Sequence, residues 1–266
     1  MISIILPTYK PEYYLYECFL SINNQTIDKG KFIVHIILNG SDTSYLIKIK
    51  NWLLDFDFHY KLTNCIESGV SLARNIGLEL SESEFICFMD DDDIITPDYL
   101  EKLLLASDIN TLGVSNVKAF SDNIFLQKDY FLTFNEAYNG IFSFKYKSNL
   151  SSIWGKLIHK KMIDNIRFNE NIKLGEDSLF MFLVSKNINM IKSTEPDCLY
   201  LRRLRNNSAV TKNRNNLYYF GNFIYLIYEY TIAFLLDSRS YSLILYINRL
   251  MACFKSLILF IFKKHE

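Results

Sequence analysis

The chain has 266 residues, of which half are apolar and 15% are aromatic, and this composition excludes an intrinsically disordered protein. Its 29 basic residues balance 29 acidic ones, so the net charge does not indicate a nucleic-acid-binding protein. Five scattered cysteines without a CxxC pair are typical of reduced thiols in the cytoplasm, not of disulfides or a zinc site. The opening "MISIILPTYK" has no basic segment before its apolar run, which predicts a strand instead of a signal peptide.

Strands and helices alternate along the first hundred residues. "SIILPTY" and "FIVHIILNG" are predicted strands buried on both faces, and "PEYYLYECFLSINNQT" between them has apolar residues at helical spacing. The alternation continues with helix "DTSYLIKIKNWLLDF", strand "FHYKLTNC", helix "VSLARNIGLELS" and strand "EFICFM". Next comes "TPDYLEKLLLAS", a predicted helix with Thr96 as N-cap and Pro97 at its first position. This order predicts an α/β fold with a Rossmann-like, open, mostly parallel sheet flanked by helices, in which ligands bind at the carboxyl ends of the strands.

The rest of the chain is more mixed and ends in two apolar runs. "TLGVSNVKAF" is strand-like and "GEDSLFMFLVSKN" is helix-like. The run Leu217 to Leu236 is nearly long enough to span a bilayer, but Gly221, Asn222 and Glu229 interrupt it. We therefore predict two C-terminal amphipathic helices, one packed on the preceding domain and one lying on a membrane. Plain core packing or a dimer contact is the alternative.

The terminal "KKHE" bears on the same question. Lys263 and Lys264 follow the last apolar run, Leu250 to Phe262, which is too short to span a bilayer. Basic residues at the end of an amphipathic helix are attracted to anionic lipid headgroups. We therefore expect these two lysines to face the membrane surface.

Four consecutive aspartates, Asp90 to Asp93, directly follow a predicted buried strand. Carboxylates this close repel one another, and their oxygens suit a hard divalent cation such as Mg²⁺ or Mn²⁺. Because alternate residues of an extended segment face the same side, we expect Asp90 and Asp92 to share one ligand. A solvated charge run before the next helix is the alternative, but it accounts for one aspartate and not for all four.

Several ordered segments resemble one enzyme family. They are "ISIILPTYKPEYYLYECFLSINNQT", "GVSLARNIGLELSESEFICFMDDDD", "WGKLIHKKMI" and "FNENIKLGEDSLF", and together they cover roughly residues 2 to 210. Their order is similar to that of the family-2 inverting nucleotide-sugar glycosyltransferases of bacterial surface polysaccharide synthesis. The resemblance implies a GT-A fold, a nucleotide-diphosphate sugar as donor, and Mn²⁺ or Mg²⁺ bridging the diphosphate. "MDDDD" matches the family's Asp-x-Asp element, which implies that Asp92 and Asp90 bind the metal and that Asp90 and Asp91 contact the nucleotide sugar.

The second acidic motif is "GED" at residues 175 to 177. An inverting transfer needs a base that removes the proton of the acceptor hydroxyl on the face opposite the leaving group. The resemblance implies that Asp177 is this base and that Glu176 contacts the acceptor. Ordinary acidic residues at a helix N-terminus are the alternative.

The resemblance also implies further contacts. Thr8 and Tyr9 match positions that hold the nucleoside, although they could simply end the first strand and pack. Asn39 stands where many members have an aspartate that contacts the base, and an amide can still pair with a base edge. Arg74 could reach the nucleotide or a phosphate, or pair with a surface glutamate. Trp154 matches part of the acceptor site, but a core position is the more common fate of a tryptophan.

The window from Arg202 to Arg214 holds five basic residues and no acidic one. It could close over the diphosphate of the donor or bind the diphosphate of a lipid-linked acceptor. A solvated basic loop is the alternative.

We therefore predict a GT-A catalytic domain over residues 1–215, with a nucleotide-binding half (1–106) and an acceptor-binding half (107–215). Residues 216–266 form a helical appendage that we expect at the membrane. The predicted reaction is the metal-dependent inverting transfer of a hexose or N-acetylhexosamine, with a UDP-sugar as the expected donor. The expected acceptor is a glycan on a polyprenyl diphosphate, an O-antigen or capsule intermediate, at the inner face of the cell membrane. A nucleotidyltransferase and a non-catalytic membrane-bound scaffold are the alternatives.

Overall fold

The computed structural model describes residues 1–40, 43–121, 128–129, 139–141, 150–205 and 216–262. The strands are β1 Ile2–Thr8, β2 Phe32–Asn39, β3 Tyr60–Cys65, β4 Phe85–Phe88, β5 Ile94–Ile95, β6 Thr111–Val114, β7 Asn116–Phe120, β8 Lys128–Asp129, β9 Asn139–Ile141, β10 Lys156–His159, β11 Met190–Ser193 and β12 Leu199–Arg203. The α-helices are α1 Tyr13–Asn23, α2 Thr43–Leu53, α3 Val70–Leu80, α4 Tyr99–Ala106, α5 Lys160–Ile163, α6 Glu176–Val184, α7 Asn216–Leu236 and α8 Leu243–Phe262.

The central sheet has eight strands in the order β3-β2-β1-β4-β10-β6-β11-β9. Its first four strands are mutually parallel, and β10 then pairs antiparallel with both β4 and β6. Every residue of β1 is buried, which explains why this strand reads as a nearly continuous apolar run. The predicted α/β fold with a mostly parallel sheet is confirmed. The sheet runs across residue 106, because strands from both predicted halves belong to it.

A smaller sheet, β5-β12-β7-β8, lies beside the aspartates. The segment "TLGVSNVKAF" is broken at Ser115 into β6, in the large sheet, and β7, in the small one. Strand β12 pairs antiparallel with β5, which begins one residue after Asp93. A segment from the end of the catalytic region therefore lies next to the acidic turn.

The predicted N-cap at Thr96 is wrong. The helix begins at Tyr99, and Asp98 occupies the N-cap position without a side-chain capping bond. Thr96 instead pairs with β12: its N–H donates to the Leu199 carbonyl at 3.1 Å, and its Oγ1 accepts from the Leu199 N–H at 3.0 Å. The Thr96 hydroxyl, which the local sequence pattern assigned to capping the helix, therefore accepts a hydrogen bond from strand β12 instead.

The two predicted C-terminal helices are present, and they pack against each other and against the catalytic domain. The rings of Phe234 and Tyr246 are stacked 4.4 Å apart between α7 and α8, and Tyr241 stacks on Phe182 of α6 at 4.8 Å. Helix α8 begins at Leu243, earlier than the apolar run that suggested it. Within the described residues, one segment, Tyr219–Leu236, is long and apolar enough to cross a membrane, on length and composition alone.

Candidate active site

The carboxyl ends of β1, β2 and β4 meet at one edge of the sheet. Thr8, at the end of β1, donates its hydroxyl to Asp91 Oδ2 at 2.5 Å. Asn39, at the end of β2, donates from Nδ2 to the Thr8 carbonyl at 2.9 Å and accepts from the Gly69 N–H at 3.1 Å. Asn39 is buried and joins two strand ends to the start of α3, so this amide has a structural role beside its predicted contact with the base.

Tyr9 lies at the rim of this edge with about half of its surface, 49%, exposed. A Cβ on Gly40, whose φ is +73°, would lie only 2.7 Å from Cε2 of Tyr9. Glycine at position 40 therefore serves both the backbone conformation and the close approach of the ring. The exposed ring is suited to a planar base, and its contact with the nucleoside stays a prediction.

The four aspartates form a turn and not an extended segment. The N–H of Asp93 donates to the carbonyl of Asp90 at 3.3 Å, which closes the turn. We expected an extended segment, in which the side chains of Asp90 and Asp92 face the same side, and this expectation is wrong. The turn instead points the carboxylates at different partners.

Asp93 is buried inside this turn. Tyr200 donates its hydroxyl to Asp93 Oδ2 at 2.6 Å, and the Arg203 N–H donates to Oδ1 at 2.8 Å. The N–H of Asp90 in turn donates to the Tyr200 hydroxyl oxygen at 3.1 Å. Burial and the neighbouring Asp92 raise the pKa of Asp93 well above its usual range. Asp93 therefore holds the turn to β12.

Asp91 and Asp92 lie closer to the open edge. Burial raises the pKa of Asp91 to about 7 in spite of the Thr8 hydrogen bond, which lowers it. Burial followed by the charge of Asp90 also raises the pKa of Asp92, and Arg205 opposes that rise. Arg205 Nε lies 2.5 Å from Asp92 Oδ2. A cationic group thus already contacts the predicted metal ligand.

The sequence did not single out Tyr200, Arg203 or Arg205 as site residues. They come from β12 and the two residues after it, more than 100 positions beyond the aspartates. The signal that pointed toward them was the basic window beginning at Arg202, whose first part does lie at the aspartate turn. Residues 206–215 of that window lie outside the described residues.

Arg74 connects the aspartate turn to the second acidic motif. Its buried guanidinium donates from Nη2 to Asp90 at 3.0 Å and from Nη1 to Asp177 at 2.7 Å. Glu176 lies 3.5 Å from the same Nη1. The predicted metal edge and the predicted base, far apart in sequence, are therefore neighbours across one arginine. The ion-pair partners of Arg74 in the described residues are carboxylates, and its guanidinium also lies 5.5 Å from the centroid of the Phe168 ring; its contact with a phosphate stays a prediction.

The pKa of Asp177 fits proton transfer near neutral pH. Burial raises the pKa of Asp177 to about 7, although the charge of Arg74 acts in the opposite direction. A general base is most effective when its pKa lies near the working pH. Arg74 donates its hydrogen bond to Oδ1 of Asp177, so the arginine and a substrate proton can be bound by different oxygens of this carboxylate.

Helix α7 holds the loop that carries the acidic pair. Asn222 accepts from and donates to the backbone of the two residues before Gly175, at 3.0 and 2.9 Å. One turn further, Leu226 packs so closely on Gly175 that a Cβ there would lie 2.9 Å from Cδ1. After another turn, the Tyr230 hydroxyl donates to Ser178 Oγ at 2.9 Å. Asn222, Leu226 and Tyr230, which we call the inner ridge of α7, therefore fix the start of α6.

Trp154 lies in the core beneath the site. It is 8% exposed, and its ring stacks on Tyr200 with centroids 5.5 Å apart and planes inclined by 11°. This is the core position that the sequence left as the alternative, and one ring face is covered. The predicted acceptor contact of Trp154 therefore gains no support from its burial.

The carboxylates fit a divalent cation of the predicted kind. Within the described part of the chain, no three His, Cys, Asp or Glu side chains converge to form a complete protein metal site. Mg²⁺, however, is usually held by one or two carboxylates together with substrate phosphates. Asp92 and Asp90 would supply such a donor set, and a bound cation would share these carboxylates with Arg205 and Arg74, which contact them in the structure.

The edge of a mostly parallel sheet, carrying carboxylates for a metal-bound diphosphate and a separate candidate base, is the arrangement expected of a nucleotide-sugar glycosyltransferase. The chain also matches the family model described as glycosyl transferase family 2 over residues 3–188. It therefore belongs to glycosyl transferase family 2, and the predictions of the family and of a glycosyltransferase enzyme are confirmed.

Individual relatives agree with this assignment. The chain is 27% identical over 253 residues to the putative glycosyltransferase EpsH of Bacillus subtilis, covering 90% of this chain and 70% of EpsH. It is 41% identical over 108 residues to an uncharacterized glycosyltransferase of Haemophilus influenzae, covering 39% of this chain and 41% of that protein. It spans only 31% of the glycosyltransferase GlyA of Streptococcus pneumoniae.

The fold is similar to that of a solved enzyme. The crystal structure of Staphylococcus aureus TarS 1–349 in complex with UDP-GlcNAc superposes with a TM-score of 0.76 at 22% identity. The match covers 94% of this chain and 72% of the TarS chain. The GT-A fold predicted for this chain is therefore confirmed.

Proposed function

We propose that the chain transfers a hexose or N-acetylhexosamine from a UDP-sugar to a glycan acceptor, with inversion and with Mn²⁺ or Mg²⁺. The observation that carries this proposal is the position of Arg74, which contacts both Asp90 and Asp177. The proposed diphosphate-binding edge and the proposed base are therefore neighbours, as a reaction at one donor sugar would require. UDP as the nucleotide is supported by the crystal structures of TarS 1–349 in complex with UDP and with UDP-GlcNAc.

The proposed chemistry uses Asp177 as the base. The acceptor hydroxyl oxygen attacks the anomeric carbon of the donor sugar, and the bond from that carbon to the diphosphate oxygen breaks. The hydroxyl proton passes to Asp177, and the bonding electron pair leaves with the nucleoside diphosphate. Attack from the face opposite the leaving group inverts the anomeric centre.

The other site residues bind and orient the two substrates. A divalent cation held by Asp92 and Asp90 would offset the charge that develops on the leaving diphosphate. Thr8, Asn39 and Tyr9 are the proposed contacts of the nucleoside, and Thr8 donates a hydrogen bond to Asp91 beside them. Glu176, beside the base, is suited to a hydroxyl of the acceptor.

We infer further that the acceptor is a glycan carried on a polyprenyl diphosphate, as in O-antigen or capsule synthesis. Relatives named for the minor teichoic acid and for poly(ribitol-phosphate) glycosylation support surface polymers as the acceptor class. The basic window that begins at Arg202 supports a diphosphate-bearing substrate, since guanidinium groups bind phosphates in bidentate geometry. A lipid-linked acceptor would require the enzyme to work at the inner face of the cell membrane.

The test is calorimetric titration of the purified chain with a panel of nucleoside diphosphates, with and without Mn²⁺. We expect metal-dependent binding of UDP that is lost in Asp92→Ala and unchanged in Asp55→Ala, which removes a carboxylate remote from the site. Asp177→Asn should still bind UDP but lose sugar transfer. Binding that is equally strong without metal, or equally strong in Asp92→Ala, would contradict the proposed role of the aspartates.

A further inference from the structure

Each of the two C-terminal helices exposes a series of large apolar side chains. On α7 they recur at every fourth position, and on α8 at alternating steps of three and four, so each set forms one ridge of its helix. The outer apolar face, as we name it, consists of Phe220, Ile224, Tyr228, Ile232, Ile244, Ile247, Met251, Phe254 and Ile258. Their exposed fractions run from 39% to 64%. Apolar surface of this extent on a soluble domain marks an interaction site.

The outer apolar face lies on the opposite side of α7 from the inner ridge. Ile224 and Tyr228 alternate with the buried Leu226 and Tyr230, two residues apart, and therefore about half a turn around the helix. The exposed ridge consequently faces away from the catalytic domain. This face is therefore not covered by the described part of the catalytic domain.

Helix α8 carries basic charges, of which Lys255 is exposed and Arg249 is buried, whereas the one charge on α7 is acidic, Glu229. From residue 238 to residue 265 the chain contains five basic residues and no acidic one. Arg239 and Lys255 are exposed, whereas Lys263 and Lys264 lie outside the described residues. Asp237, which precedes this stretch, is paired with Lys186 at 3.7 Å. An apolar face bordered by basic residues complements a bilayer that contains anionic lipid.

Helix α7 is suited to lie against a bilayer and not to cross it. Its inner ridge makes polar contacts with the catalytic domain through Asn222 and Tyr230, which a crossing helix would have to break. Breaking them would also release the loop that carries the acidic pair. The length and composition that make α7 a candidate span are therefore better explained by one buried face and one lipid-facing face.

We propose that α7 and α8 dock the chain on an anionic lipid bilayer through the outer apolar face. This deepens the proposed function, because it names the membrane partner of an enzyme with a lipid-linked acceptor. The acidic pair would then lie one helix thickness, about 10 Å, above the lipid surface. An acceptor anchored in that surface would reach the base without leaving the membrane.

The test is co-sedimentation of the full chain with vesicles of phosphatidylcholine alone and vesicles that also contain phosphatidylglycerol. We expect binding at least roughly tenfold stronger to the anionic vesicles, since each exposed basic side chain contributes about fivefold. The double variant Ile224→Glu, Phe254→Glu should lose at least about tenfold of that binding, because it places two charges in the lipid-facing layer. The matched control is Leu105→Glu, which changes an exposed residue of α4 (75% exposed) and should bind like the unaltered chain.

Thermal unfolding of all variants shows whether they fold, and UDP titration shows separately whether the donor site is intact. Failure to bind either vesicle, or unchanged binding of the double variant, would overturn the docking proposal while leaving the donor site untouched. A dimer that the double variant converts to monomers, without vesicle binding by the unaltered chain, would assign the face to a second copy. If the unaltered chain bound anionic vesicles but did not bind UDP, the proposed function would be contradicted and the docking proposal would stand.

Discussion

Replacing Arg74 by methionine should move the pH dependence of the reaction. The methionine keeps the buried volume but removes the charge that contacts Asp177 at 2.7 Å and Asp90 at 3.0 Å. An adjacent guanidinium typically lowers a carboxyl pKa by about 1 to 3 units, and each unit corresponds to about 1.4 kcal/mol. The pKa of Asp177, now about 7, should therefore rise by a similar amount.

The sign of the effect on rate follows from the role of Asp177. A base acts only when ionised, so activity falls as the pH drops through its pKa. A higher pKa shifts this acidic limb to higher pH, and at neutral pH the rate should fall by about fivefold for the first unit and about tenfold for each further unit. The measurement is kcat/KM against pH for the unaltered chain and for Arg74→Met.

The control is Arg74→Lys, which keeps a positive charge and should keep the acidic limb closer to its original position. Thermal unfolding and UDP titration check that both variants fold, because removing one partner from a buried ion pair costs about 3–5 kcal/mol. A lower plateau with an unmoved limb in Arg74→Met would refute the reasoning, since Asp177 would then not be the titrating base or Arg74 would not set its pKa.

Three further substitutions probe the supports of the site. Asn222→Ala should lower the free energy of unfolding by about 2 kcal/mol, because the backbone groups of Lys173 and Leu174 lose their hydrogen-bond partner, and it should reduce kcat. The control is Asn248→Ala, which removes a side chain that donates to a carbonyl of its own helix and should leave kcat unchanged. Tyr200→Phe should lower the free energy of unfolding by about 1–3 kcal/mol, and with it the melting temperature, because the buried Asp93 loses the hydroxyl that donates to it at 2.6 Å. An unchanged melting curve would contradict that role of Tyr200. Gly175→Ala should reduce kcat with little change in UDP affinity, because a Cβ meets Leu226 at 2.9 Å; equal losses of both would show that the loop also shapes the donor site.

The parallel half of the fold was predictable because its signals are local. Buried runs such as that of β1 are mostly apolar, and the intervening helices show helical spacing. The failure at Thr96 has a physical reason. Its N-cap pattern was sound locally, but β12 supplied a better partner, and nothing within several residues of Thr96 indicated that strand.

The candidate site was predictable only on one side. Asp90 to Asp93 and Asp177 stand out as acidic motifs, whereas the groups that hold them do not. Tyr200 is one of 18 tyrosines and was not distinguishable from the others before β12 was placed. Arg74 appeared as a plausible phosphate ligand, but its contact with two carboxylates separated by more than 80 positions requires the tertiary structure.

The distance in sequence between the aspartates and their partners bears on how the chain is made. The carboxylate of Asp93 finds its two donors 107 and 110 residues later, at Tyr200 and Arg203. During synthesis, residues 1–106 emerge from the ribosome before the groups that donate hydrogen bonds to Asp93. Strand β5 likewise emerges before β12, its partner in the small sheet. Contacts between such distant segments form slowly, because the intervening chain must first be ordered. The aspartate turn is therefore expected to be among the last parts of the molecule to reach its final geometry, after the sheet that carries it has already formed.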